Sequence, residues 1–103
     1  MSFGLKEQDI SDIVAAIAKF EEIEKASIFG SRAKGNYKPG SDVDLAIFGD
    51  CITFDTVSRL HGALEEESRM PYFFDIVDYS QLTNAELKGH IERVGNIIYE
   101  KQP

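Results

Sequence analysis

The sequence predicts an α+β fold, a small mixed β-sheet flanked by helices, in a single domain over residues 1–103. Three observations predict it. Apolar residues recur at helical spacing in three separate stretches, and short apolar runs closed by turn-forming residues fall between them. A chain of 103 residues holds one core and no more.

The first helical stretch runs from about Asp9 to Glu22, where Ile10, Ile13, Val14, Ile17 and Phe20 share one side and charges fill the rest. A short apolar run, Ala26 to Phe29, stops at Gly30 and reads as a strand feeding a turn. From Gly30 to Gly40 three glycines, Pro39 and Asn36 forbid a long helix, although one turn fits over Ser31 to Lys34. Val43 to Phe48 is apolar except at Asp44 and reads as a buried strand. Phe54 to Ser68 carries Val57, Leu60, Ala63 and Leu64 on one side, which predicts a second helix that Pro71 keeps from extending far. Phe73 to Tyr79 is the third strand. Thr83 or Asn84 caps a last helix with Leu87, Ile91, Val94 and Ile98 as its stripe.

Composition narrows the function classes. The chain carries 18 Asp and Glu against 11 Lys and Arg, which argues against sequence-independent binding to a nucleic-acid duplex. Cys51 is the sole cysteine, so no internal disulfide forms. No basic segment leads into an apolar run at the start, and no stretch approaches the roughly 20 apolar residues that span a bilayer. The expectation is a cytoplasmic protein without a membrane segment.

The informative segment runs from Gly30 to Leu45. Side chains alternate along a strand, so Asp42 and Asp44 point to one side while Val43, Leu45 and Ile47 point to the other. Two adjacent carboxylates on an apolar strand repel each other and resist desolvation. A cation between them relieves both costs, and Mg²⁺ prefers carboxylate oxygens while keeping sites open for water and phosphate. Taken alone, Asp-x-Asp reads equally well as two solvated carboxylates at a strand end. Gly30 and Ser31 change the balance. They follow a strand and open a helical turn, where backbone N–H groups face an anion, Gly30 leaves room for phosphate and Ser31 adds a hydroxyl donor. A phosphate cradle beside a metal site is what triphosphate chemistry requires.

Other phosphate and metal motifs are absent. Gly35 is followed by Asn36 and Tyr37 rather than by Lys and Ser or Thr, and no G-x-G-x-x-G occurs. A calcium loop starting at Asp42 would need a ligand at Ala46 and glycine at Ile47. His61 and His90 lack metal-ligand spacing and read as surface or packing residues.

Gly30-Ser31, ten intervening residues, then Asp42-Val43-Asp44 resembles the signature of the DNA polymerase β-like nucleotidyltransferase superfamily. The fuller pattern, Gly30-Ser31-Arg32-Ala33 through Gly35 to Ser41-Asp42-Val43-Asp44-Leu45, is similar to its minimal nucleotidyltransferase (MNT) antitoxin group almost position by position. The resemblance covers nearly the whole chain and implies the nucleotidyltransferase core fold. It also implies a third carboxylate on a neighbouring strand. Asp75, within Phe73-Phe74-Asp75-Ile76-Val77, matches that pattern better than Asp78, which stands three residues on and should face the other way.

On this resemblance Asp42, Asp44 and Asp75 are the catalytic and metal-binding residues, and Mg²⁺ and ATP are cofactor and substrate. Gly30, Ser31 and, less directly, Arg32 hold the outgoing phosphates, with Lys34 as another charge partner. Asp75 also takes the acceptor proton, directly or through water. The implied acceptor is a hydroxyl on a HEPN-domain toxin, modified with AMP by the chain as antitoxin. Two other readings stay open: an antitoxin acting by contact alone, and a nucleotidyltransferase for a small, antibiotic-type molecule, with a homo-oligomer completing the site. Phe3, Ile98 and Tyr99 are the candidate partner-facing residues.

Overall fold

A computed structural model describes residues 3–102. The elements run α1 (Glu7–Ala18), β1 (Lys25–Phe29), α2 (Gly30–Lys34), β2 (Val43–Phe48), α3 (Phe54–Glu65), β3 (Phe74–Asp78), α4 (Ala85–Val94) and β4 (Asn96–Glu100), with a 3-10 turn over Tyr79–Gln81. The four strands form one sheet in the order β3-β2-β1-β4. β1 pairs antiparallel with β2 and β4, whereas β2 and β3 are parallel and joined through α3. The sheet is therefore mixed and the fold α+β, as the sequence predicts.

Alternation along the strands makes two unequal layers. Val43, Leu45 and Ile47 are fully buried against Ile13 and Ile17 of α1 and Leu60 and Leu64 of α3. The opposite face is covered more thinly. There Phe29 and Ala46 pack beneath Ile91 of α4, with Val77, Leu82 and Leu87 around them. Caps fix both later helices: Thr53 Oγ1 accepts the Thr56 amide at the start of α3, and Asn84 Oδ1 accepts the Leu87 amide at the start of α4. No helix among the described residues is long and apolar enough to cross a membrane.

The last element differs from expectation. The fourth helix does not reach Ile98; it ends at Val94, and the following residues form β4 on the open edge of β1. At Gly95 the backbone turns extended, and a Cβ there would stand 2.4 Å from the Ile91 carbonyl oxygen. Beyond it Ile97, Ile98 and Tyr99 suit a strand, and β1 supplies the backbone partners that one more helical turn would have supplied. Ile98 fits a helical stripe and a strand equally, because short apolar runs do not resolve the period. A register shift opposite Ala26 and Ser27 lets Ile98 and Tyr99 both pack on the main core.

That packing also removes the expected partner-facing residues. Phe3 is buried, and Ile98 and Tyr99 lean on the core. Among the described residues, the large apolar side chains left in solvent are instead Phe54, Phe73, Ile97 and, partly, Tyr37.

Candidate active site

The site forms where β1 gives way to α2. Gly30 has φ +73°, a left-handed conformation that costs a residue with a side chain about 1–2 kcal/mol. A Cβ on Gly30 would lie 2.0 Å from Asp44 Oδ2 and 2.9 Å from its carboxyl carbon. The backbone of the turn and the carboxylate of β2 are thus in direct apposition, and only glycine permits it. Ser31 follows half-buried in the first turn of α2. The sequence-predicted pairing of the Gly30-Ser31 turn with Asp44 is present in the geometry.

The strand register assembles the carboxylates. Asp44 stands opposite Phe29 on one side and Asp75 on the other, so Asp44 and Asp75 share a face of the sheet. Asp42 precedes Asp44 by two residues at the exposed entrance to β2. Asp78 pairs with Ile47 instead, where its carboxylate accepts the Ser80 amide and hydroxyl and starts the 3-10 turn. Asp75 is therefore the carboxylate set beside Asp44.

Burial, then the charges of Asp75 and Asp42, push the Asp44 carboxyl up to about 6 from an ordinary 3.8, against the smaller pull of Arg32. Because the folded value lies above the unfolded one, folding takes up a proton between pH ~4 and ~6. The Asp44 contribution to the stability of the metal-free protein is thus most favourable below that window and is lost as pH rises through it. Asp44 is partly solvated, so the loss is about 1–2 kcal/mol rather than the ~3 of a sealed site. Chemical denaturation at pH 4.5 and 7 in EDTA should show it, and a stability flat across that range would contradict it.

Among the described residues no three Asp, Glu, His or Cys side chains are gathered closely enough to enclose an ion by themselves. The donor set still fits Mg²⁺, which is ordinarily held by one or two carboxylates together with substrate phosphates and water. Asp44 supplies the strained negative charge such an ion would relieve, and Asp42 and Asp75 flank it.

Arg32 occupies a different place from the one its position in the loop suggests. It is 3% exposed. Its Nε and Nη2 donate to the Ser41 carbonyl at 3.1 and 2.8 Å, and Nη1 donates to the Phe3 carbonyl at 2.8 Å. The guanidinium also lies over the rings of Tyr37 and Tyr72. With three of its donors held by carbonyls, it ties the chain just before Asp42 to α2. Arg32→Lys cannot reproduce the fork and should destabilise by about 2–3 kcal/mol, read as a lowered Tm. An unchanged Tm would mean that the fork contributes little.

His90 also departs from expectation. Its ring meets Phe29 edge to face at 6.0 Å, and its Nε2 accepts the Gly30 amide at 3.2 Å. Sixty positions separate the two residues, and no local spacing signals the contact. His61, by contrast, pairs with Glu65 on its own helix, at 2.8 Å. A concavity of about 920 Å³ opens at the opposite end of the strands, between Glu21, Phe48, Asp50, Tyr79 and Lys101, away from the carboxylate cluster.

The chain resembles known proteins in sequence and in fold. The chain is 37% identical over 75 residues to the "Probable protein adenylyltransferase MntA" of Haemophilus influenzae, a stretch covering 72% of this chain and 64% of that protein. The chain thus spans somewhat under two thirds of that relative. Two crystal structures share the fold. One is of a toxin–antitoxin with AMP-PNP, with a TM-score of 0.72 and 20% identity over 95% of this chain and 76% of the other. The second is of the toxin–antitoxin MntA-HepT, with a TM-score of 0.70 and 15% identity over 93% and 74%. The family model described as polymerase beta, nucleotidyltransferase matches residues 11–103, from within α1 through β4. With the Gly30 turn set against Asp44 and the Asp75 strand beside it, the chain belongs to the polymerase β nucleotidyltransferase family.

Proposed function

We propose that this chain transfers AMP from ATP to a hydroxyl of a partner protein, a HEPN-type toxin, and acts as its antitoxin. The observation that carries this reading is the contact of Gly30 with Asp44, flanked by Asp42 and Asp75. It sets a turn able to receive phosphate against the carboxylates that a phosphoryl-transfer metal needs. The adenylyltransferase relative and the fold shared with toxin–antitoxin structures support the choice of acceptor.

In this mechanism Ser31 and the backbone that follows hold the β- and γ-phosphates through N–H groups and the Ser31 hydroxyl, while Gly30, whose own amide is donated to His90, leaves room for them. Arg32 keeps the Ser41–Asp42 segment in place against them. Asp42, Asp44 and Asp75 would hold Mg²⁺, which supplies charge neutralisation at the phosphates and lowers the pKa of the acceptor hydroxyl. Asp75, exposed at the rim of the sheet, receives the acceptor proton directly or through water. The acceptor oxygen bonds to the α-phosphorus, the α–β bridging bond breaks, and pyrophosphate leaves. Phe73 is 71% exposed and stands two residues before Asp75, an apolar contact for a protein that brings its hydroxyl to this rim.

The test is direct. The protein is incubated with labelled ATP, Mg²⁺ and a HEPN-type toxin, and label is followed on each protein. Label on the partner together with loss of its toxicity is the expected result. Inhibition of the partner without label, unaffected by nucleotide, would replace catalysis with contact. Label appearing only on added aminoglycosides would identify a small-molecule enzyme.

A further inference from the structure

The Gly30 peptide is held by a residue from the other end of the chain. Its amide is half-buried, and such a donor left without a partner is costly. His90 Nε2 accepts it, and the Phe29 ring beside it restrains the imidazole. His90 sits on α4, which packs on the thin face of the sheet through Ile91 and Leu87. The helix therefore anchors the peptide whose Cα is pressed against the Asp44 carboxylate.

We infer that His90 is a positioning residue for nucleotide binding: by accepting the Gly30 amide it fixes the turn so that Ser31 and the following backbone face the phosphates beside Asp44. This rests on the nucleotide-binding reading above. To accept from an amide, Nε2 must carry its lone pair, so the ring hydrogen sits on Nδ1. The role is held apart from simple packing by what each substitution keeps. His90→Phe retains an aromatic ring on Phe29 and removes the acceptor. His90→Gln removes the ring contact with Phe29 and retains an acceptor of similar reach. Leu87→Ala loosens α4 without touching Gly30.

Affinity for Mg-ATP measured by calorimetry, with Tm recorded for every variant, tests the inference. His90→Phe should weaken binding about tenfold or more, in keeping with the sensitivity of phosphate alignment to small displacements. His90→Gln should recover most of that loss, and Leu87→Ala should lower Tm with affinity unchanged. In ¹⁵N spectra of the wild type, His90 should show an unprotonated Nε2, and the Gly30 amide should move most in His90→Phe. Wild-type affinity in His90→Phe overturns the inference while leaving the nucleotide site intact. Equal losses in His90→Phe and His90→Gln, or an equal loss in Leu87→Ala, overturn it in favour of packing. A wild type that binds no Mg-ATP overturns the nucleotide-binding reading itself and the inference with it.

Discussion

Asp44→Asn should abolish nucleotidyl transfer and at the same time raise the stability of the metal-free protein. The two effects have one cause. Asp44 is the carboxylate on which burial, Asp75 and Asp42 converge, and its ionised form is disfavoured in the folded chain. Asparagine keeps the shape and removes the charge. Losing the central anion of the metal site should cost several kcal/mol of transition-state stabilisation, a fall of at least about 10³-fold in rate. The same change removes the charge penalty above pH ~6 and should add about 1–2 kcal/mol to stability at pH 7, tapering off toward pH 4. Transfer assays and denaturation with and without Mg²⁺ measure both. A variant that loses activity together with stability would mean Asp44 is held by favourable contacts in the free protein, and the strained-site account would fail. Natural sites often trade stability for function in this manner.

The segment from Gly30 to Leu45 was legible because its information is local. A strand's two-residue period puts Asp42 and Asp44 on one side, and a glycine after a strand marks a turn. Asp75 is legible only with the family pattern in hand, because choosing it over Asp78 depends on the parallel register between β2 and β3, and sequence spacing does not encode that register. Arg32 and His90 were read by their surroundings in sequence, a polar loop and an amphipathic helix. Both owe their actual roles to distant chain. Arg32 turns inward because the Phe3 and Ser41 carbonyls meet it there. His90 faces Gly30 because α4 crosses the thin side of the sheet. The strand after Gly95 was hidden for a different reason, since its apolar residues satisfy both periods and only the free edge of β1 decides between them.

Gly30→Ala should sharply lower transfer while leaving the protein folded. Two costs meet at this position: the left-handed backbone and the lack of space for a methyl group. The new Cβ would fall on Asp44 Oδ2 and crowd the carboxyl carbon behind it. A carboxylate end can rotate, so the fold should survive with a loss of about 1–2 kcal/mol, mostly from the backbone. Rotation, however, swings Asp44 away from the position between Asp42 and Asp75. Transfer should therefore fall by about 10²-fold or more in protein that is still folded. Gly35 supplies the matched control: its φ is +86° and nothing lies within 4 Å of a Cβ built there. Gly35→Ala should lose similar stability and keep near-normal transfer and Mg-ATP affinity. If both alanine variants lose activity in proportion to stability, the left-handed backbone alone explains Gly30, and its apposition to Asp44 has no catalytic meaning. If only Gly30→Ala loses activity, the close approach of turn and carboxylate is the feature that the site is built around.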